Sequence, residues 1–290
     1  MALLAVASQC HPSELLHVLH FNHQSREGNK EDEKLVQNFC SKLNIPCTIK
    51  CLNKAKTSQN LEQYWRTERQ EYSIKLATEI KVDRILTAHH ATDLVETMIF
   101  RLAKGCGVGG LSPFDRSTKP FWSLPKTDLI EYAQDHKLTW HEDPSNDDTH
   151  HQRNLIRHQV LPQLRKITPN LEKVFVSESI IFGEIDAYLK DQIAKIKDQK
   201  SDNCYLVSDI CSLPKALQRE ILRSITKKTP SFDEMEDFFK WIENEPQGGS
   251  QKDLGGTRFS VQAGLLKWIG RGFSQTLIGS RPNTPYPLNF

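Results

Sequence analysis

Two stretches of the chain concentrate residue types that can do chemistry. The first, His89-His90-Ala91-Thr92-Asp93-Leu94-Val95-Glu96-Thr97, sets imidazoles and carboxylates into one or two helical turns just past the apolar run Arg84–Ala88. The end of a strand in an open parallel sheet is where that architecture places its chemistry. Asp93 and Glu96 are three apart and so share a helix face. The second stretch is Glu142-Asp143-Pro144-Ser145-Asn146 followed by Arg153-Asn154-Leu155-Ile156-Arg157, with its arginines four apart on one helix face. Acids and imidazoles followed by an arginine clamp suit an enzyme that handles phosphate-bearing substrates.

Each feature also has a plainer reading. Acids in a first helical turn complement the helix dipole without any further role. The arginines can pair with Asp143, Asp147 or Asp148. A histidine at a strand end is usually structural; His90, beside an acid, is the better functional candidate, and His89 is expected to face the sheet. His141, His150, His151 and His158 fit no zinc-ligand spacing.

The elements that must position these residues alternate. Glu14–Phe21 reads as a buried strand and Glu31–Leu43 as a helix with a stripe of Val36, Phe39, Cys40 and Leu43. Cys47–Leu52 alternates as a strand, Leu61–Ile80 is helical, Arg84–Ala88 is a short buried strand, and Asp93–Ala103 is a helix. Strands alternating with helices predict βαβ units and a parallel sheet. Gly105-Cys-Gly-Val-Gly-Gly110 fits a dinucleotide-loop pattern but follows a helix instead of opening one, so Gly105 reads as a helix cap leading into a loop. Asn170–Lys200 is one long helical pattern. Beyond it stand two more helix patterns, Lys215–Thr226 and Asp233–Asn244, and a hairpin of Arg258–Val261 and Leu265–Ile269 around Gly264. The Pro-rich tail after Gly279 is expected to be disordered.

Composition sets bounds. At 290 residues, 38% hydrophobic and 26% charged, with a net charge of +2, the chain is an ordinary globular one with room for two domains. Local basic patches remain open, because 38 Lys and Arg need not be spread evenly. No apolar run approaches the about 18 residues that span a bilayer. Met1–Ala7 lacks the basic start of a signal peptide and reads as the end of a buried helix. Seven cysteines without a C-x-x-C argue against a disulfide framework or a zinc site and for a reducing cytosol.

Taken together, the segments resemble the tRNA(Ile)-lysidine synthase family, which has an ATP-pyrophosphatase fold. His20-Phe-Asn-His-Gln-Ser-Arg26 is similar to H-V-D/N-H-G-L-R, and His89–Thr97 to H-H-A-D-D-Q-x-E-T. Lys104–Leu111 is similar to R-G-S-G-x-x-G-L, while Glu142–Asn146 and Arg153–Arg157 match E-D-P-S-N and R-N-x-I-R. The resemblance implies a doubly wound parallel sheet, truncated at its first central strand, plus a small α+β C-terminal domain. It implies a catalytic domain over 1–168, a linking helix over 169–200, a smaller tRNA-binding domain over 201–280 and a tail over 281–290. The implied reaction uses ATP and Mg2+ to adenylate the wobble cytidine of isoleucine tRNA, which the amine of free lysine then attacks.

The implied roles fall on Asp93, His90 and Glu96 as catalytic residues, Asp93 also as a metal partner or a partner for the lysine ammonium. His20, Asn22 and His90 fall to ATP, and Arg26, Lys104, Arg153, Arg157, Arg219 and Arg223 to tRNA or phosphate. Lys215, Arg219 and Arg223 are four apart on one helix pattern, followed by Lys227 and Lys228; such a stripe is either a solvated face or a groove that tracks an RNA backbone. Oligomeric state, monomer or dimer, stays open. A 2-thiocytidine-type enzyme of the same fold is the alternative, disfavoured by the lack of C-x-x-C; a catalytically inactive remnant that retains weak RNA binding is another.

The chain also departs from the family pattern. Thr92 stands where the family has its first Asp, Leu94 where it has Gln, and Lys119-Pro120 where it has Arg-Pro. The family's S-G-G-x-D-S loop, which cradles pyrophosphate, leads into a helix beginning M-A-L-L, and Met1-Ala2-Leu3-Leu4 matches that helix. The chain therefore reads as starting just past the loop, as from a late start codon or a partial gene. Two strand edges are then expected to lack partners, and ATP binding and turnover by these 290 residues to be weak or absent.

Overall fold

The computed structural model describes residues 1–22, 28–52, 61–141, 152–197, 204–244 and 249–269. It forms two compact units, Met1–Gly183 and Glu184–Phe290. The division falls inside the long helix that sequence periodicity predicts over 170–200. Arg26, Glu142–Asn146 and the Pro-rich tail lie outside the described residues.

In the first unit, α1 (Ala2–Cys10) precedes β1 (Val18–Asn22), and α2 (Asn29–Lys42) crosses over to β2 (Cys47–Cys51). The strands pair in parallel from Val18↔Cys47 to Asn22↔Cys51, the βαβ unit expected from the alternating pattern. The predicted strand starts late. Pro12 opens a single 3-10 turn over Ser13–Leu15, with the Leu15 and Leu16 amides donating to the Pro12 and Ser13 carbonyls, so extension begins only at Val18.

Arg84–Ala88 is a correction. Among the described residues it pairs with no strand, and Ile85 and Leu86 are 38% and 41% exposed. Its tie is a loop contact, the Thr87 amide donating to the Thr118 carbonyl at 2.9 Å. The residues have strand propensity, but a strand needs a neighbour to satisfy its backbone.

The unit continues through α3 (Leu61–Glu79), α4 (Ala91–Lys104), α5 (Lys126–Asp135), α6 (Gln152–Leu155), α7 (Leu161–Ile167) and the first half of α8 (Leu171–Lys197). Helix α4 is its core element. Leu94 and Met98 pack with Leu111, while Val95 packs with Ile156, Leu161 and Leu171. Two apolar sides on one helix explain why its remaining side is confined to a few polar residues. Gly105, at φ +79°, ends it, as its cap reading predicts. The glycine run then makes a single 3-10 turn over Val108–Leu111 rather than opening an α-helix.

In the second unit β3 (Cys204–Leu206), β6 (Leu265–Ile269), β5 (Thr257–Gln262) and β4 (Gln251–Leu254) form an antiparallel sheet in that order. Helices α9 (Val207–Ser212), α10 (Lys215–Ile225) and α11 (Phe232–Glu243) and the second half of α8 belong to the same unit. The core joins Phe238 and Phe239 of α11, Ile221 and Leu222 of α10, and Phe259 and Leu266 of the sheet. Along β5, Thr257, Phe259 and Val261 are buried and Arg258 and Gln262 exposed, the period-two alternation of a one-sided sheet. Ala263 and Gly264, both at positive φ, turn the predicted hairpin. Among the described helices none is long and apolar enough to cross a membrane.

Candidate active site

The N-terminus of α4 gathers His90, Asp93, Glu96 and Arg157. His90 is the cap: its Nδ1 accepts from the Asp93 amide at 3.4 Å, and the Asp93 carboxylate accepts from the His90 amide at 2.9 Å. This reciprocal box satisfies two helix-end donors and locks both side chains to the backbone. With Nδ1 accepting, a neutral His90 carries its proton on Nε2, free to donate elsewhere. Burial pushes the imidazole below its ordinary value, with Asp93 opposing that and Lys126 and Arg157 adding to it.

Arg157 reaches this helix from the turn between α6 and α7. Residues Ile156–Val160 form a wider π turn, the Leu161 amide donating to Ile156; such bulges recur at functional sites. Arg157 Nε donates to Glu96 Oε1 at 2.6 Å and Nη2 to Oε2 at 3.0 Å, a bidentate pair. The same Nη2 lies 3.6 Å from Asp93 Oδ1. Glu96 is 3% exposed. Burial pushes its carboxyl up against the pull of Arg157, and its hydrogen bonds in turn push the guanidinium of Arg157 up. Among the described residues the carboxylate that holds Arg157 is thus an acid 61 residues back in the chain, while the aspartates at 143, 147 and 148 lie outside the described residues. Arg153 stays exposed, although its charge is felt at Glu96 and His89.

Position 92 brings in a third carboxylate. Thr92 Oγ1 donates to Glu172 Oε1 at 3.2 Å, and Arg165 donates to the same oxygen. Burial would raise the Glu172 carboxyl, but the bonds from Arg165, its own backbone and Thr92 bring it below its ordinary range. Its charge also reaches His90. Neither Glu172 nor Arg165 is singled out by the sequence, since no local motif marks a pairing across 80 residues. Leu94 is fully buried in the core, which accounts for an apolar residue there.

Other expected site residues lie in different surroundings. His20 and Asn22, at the end of β1, share a cluster with acids of α2: Asn22 Nδ2 donates to Glu33 Oε2 at 2.8 Å, and Asp32 pairs with His141 at 2.7 Å. Burial lowers His20, opposed by Asp32 and Glu33. His89 is expected from sequence to face the sheet; its Nδ1 is 2.9 Å from Thr87 Oγ1 and its ring meets Phe114 edge-on, and among the described residues the segment before it joins no ladder. Lys104 lies in the last turn of α4, over Phe100, where a cation complements the helix dipole.

The basic residues of α10 are each paired with an acid, Lys215 at an exposed position and Arg219 and Arg223 half-buried. Lys215 pairs with Glu243 at 2.6 Å, Arg219 with Glu236, and Arg223 with Glu220. Arg219 also lies over the rings of Phe232 and Phe239.

Among the described residues no group of three His, Cys, Asp or Glu could hold a metal ion alone. Both Glu96 oxygens are taken by Arg157, so Asp93 is the carboxylate of this cluster with coordination to offer. That fits an ion such as Mg2+, which commonly takes one or two carboxylates together with substrate phosphates and water.

A family model described as a PP-loop domain matches residues 1–164. The chain is similar to a tRNA(Ile)-lysidine synthase of Persephonella marina, 29% identical over 79% of this chain and 53% of that protein. It is 30% identical to one of Bacillus licheniformis over 86% of this chain and 58% of the relative. It is 29% identical to a bifunctional TilS/HprT protein of Listeria monocytogenes over 80% and 39%. The chain spans about half the length of the curated relatives it matches. A solved structure of a U34-tRNA thiolase from Methanococcus maripaludis overlays at TM-score 0.48 with 16% identity, over 58% of this chain and 62% of that one, too partial a likeness to argue from.

Proposed function

The chain belongs to the PP-loop domain family, and from that premise we propose that it acts as a ligase of the tRNA(Ile)-lysidine synthase type. The reaction would use ATP to adenylate the wobble cytidine of isoleucine tRNA, after which free lysine attacks through its amine. The observation that carries this reading is the Arg157–Glu96–Asp93 cluster set against a capping His90 at the start of α4.

Each side chain has a part to which its surroundings suit it. Arg157 holds Glu96 bidentately and leans on Asp93, so the cluster keeps its shape without substrate. Asp93, partly exposed, offers a carboxylate to an ammonium group or to a cation that arrives with ATP. Mg2+ bound with ATP would supply charge neutralisation of the phosphates. Neutral His90 has an Nε2–H to donate to a phosphate or base oxygen. His20 and Asn22, at the strand end, line the nucleotide side, and Arg26, Lys104 and Arg153 supply positive charge for phosphates. A cytosolic setting fits the free cysteines.

The test assays the chain alone and preceded by a strand and S-G-G-x-D-S loop, with isoleucine tRNA, lysine and magnesium ATP. Lysine-dependent release of AMP is expected with the loop in place, and Asp93→Asn should lower it roughly 100-fold or more, as losses of single electrostatic groups at reacting centres do. Full activity in Asp93→Asn would remove Asp93 from the site; AMP release indifferent to lysine would end the ligase reading.

A further inference from the structure

Lys215, Arg219 and Arg223 are paired to acids, whereas two adjacent cations of the second unit stand at the surface on a loop. Lys227 and Lys228 are both exposed on the loop between α10 and α11. The same loop ends at Phe232, 62% exposed although a large aromatic side chain.

The loop is held at both ends. The Lys227 amide donates to Thr257 Oγ1 at 3.1 Å and the Lys228 amide to the Gly255 carbonyl at 2.9 Å. Thr257 is buried, as is Pro230. Gly255, at φ +51°, comes so close that a Cβ there would lie 2.3 Å from the Lys228 carbonyl. At the other end Ser231 and Glu234 cap α11 reciprocally, and the Arg219 guanidinium supports the Phe232 ring from 5.2 Å. An exposed ring on a braced backbone loses little freedom when something stacks on it.

We propose that the loop from Thr226 to Phe232 is an RNA contact, in which Lys227 and Lys228 take backbone phosphates and Phe232 stacks on an unpaired base. The inference rests on the reading that the chain acts on tRNA. Cations interleaved with an aromatic platform are the chemistry of single-stranded nucleic-acid binding. Asp233 and Glu234 follow in the first turn of α11; they repel a phosphate at the helix end, which leaves phosphates to the lysines and a base face to Phe232.

The experiment uses the full chain and fluorescence anisotropy with two labelled probes, a tRNA transcript with its loops and a blunt, fully paired RNA duplex, across a salt series. Phe232→Ala should weaken tRNA binding roughly tenfold, as the loss of one stacked base does, and leave duplex binding unchanged. Phe232→Trp should keep tRNA affinity, whereas Phe232→Leu, which keeps bulk without a ring, should lose it. Lys227→Gln with Lys228→Gln should flatten the log–log salt slope by about 1.5 units, with unchanged melting temperature. If the wild type binds tRNA and all these variants bind like it, the loop assignment alone falls. If the wild type binds neither RNA, both the loop and the tRNA reading fall. If binding depends on the loop but no lysine-dependent AMP release occurs with the phosphate loop supplied, the ligase reading falls and the loop stands.

Discussion

Arg157 in the first unit and Arg219 in the second are both held by glutamates, and their side chains are similarly exposed, 28% and 25%. What differs is the carboxylate and the company. Glu96 is almost wholly buried while Glu236 is about a third exposed. Arg157 leans on a second acid beside a helix end and a histidine; Arg219 lies over two phenylalanine rings. One pair concentrates charge where backbone donors and titratable groups converge. The other spreads charge over apolar surface and works as packing. An arginine–glutamate pair therefore says little about function until its surroundings are known.

The strongest way to break this comparison is to remove both arginines in turn. Arg157→Ala strands a buried carboxylate, which costs about 3–5 kcal/mol. Arg219→Ala leaves Glu236 near water and should cost only about 1 kcal/mol. Urea denaturation of the two variants gives the numbers, and equal losses would erase the distinction. A double variant, Arg157→Met with Glu96→Leu, removes both buried charges and should recover most of the stability while leaving no activity.

That asymmetry also marks what the sequence makes legible. Helix α4 follows from its apolar positions, from His90 and Asp93 three apart, and from Gly105 at its end, all within 16 residues of chain from His90 to Gly105. The βαβ unit and the β5–β6 hairpin are equally local in signal. The partner of Arg157 is not, because nothing near position 157 points to position 96. The same holds for Thr92 with Glu172, and for the α10 stripe, whose acids lie partly on α11. Arg84–Ala88 has the residues of a strand and, among the described residues, no neighbour to pair with, a property of the fold that propensity does not carry. The short strands β3 and β4 are too brief for a periodic signal.

A second test concerns the brace under the loop of the second unit. Gly255→Ala places a methyl 2.3 Å from a backbone carbonyl at a left-handed backbone position, so something must shift. A loss of about 2 kcal/mol is expected, read as a lower melting temperature, together with weaker tRNA binding as the lysine pair loosens. Gly264, with no atom within 4 Å of an added Cβ, provides the control. There Gly→Ala should cost about 1 kcal/mol from its positive φ alone and leave RNA affinity unchanged. Equal effects at the two glycines would show that the brace is not special.

The third test sharpens the neutralisation argument. Arg223 is paired with Glu220 on its own helix, so its charge is largely cancelled toward a distant polyanion. Arg223→Ala should leave the salt slope of tRNA binding within about 0.3 units of wild type, against the 0.7–0.9 units of a lost phosphate contact. A full unit of flattening would restore α10 as a phosphate-tracking face.

The smallest expected effect concerns Glu172, which stands beside the first cluster but resembles Arg219 in being partly open to water through its partner Arg165. Burial acts to raise its carboxyl; bonds from Arg165, its backbone and Thr92 outweigh that and leave it below its ordinary value of 4.5. A carboxylate depressed in the folded state binds its proton less readily folded than unfolded. Its contribution is therefore whole above about 4.5 and fades as pH falls through that value toward the folded one. Glu172→Gln keeps the acceptor oxygen but drops the charge, so at neutral pH it should cost about 1 kcal/mol or less. Melting curves of wild type and Glu172→Gln from neutral to acidic pH should converge as the wild-type carboxylate takes up its proton. A gap that widens on acidification would mean that the carboxyl is raised in the folded protein, and that burial at position 172 outweighs the hand of Arg165.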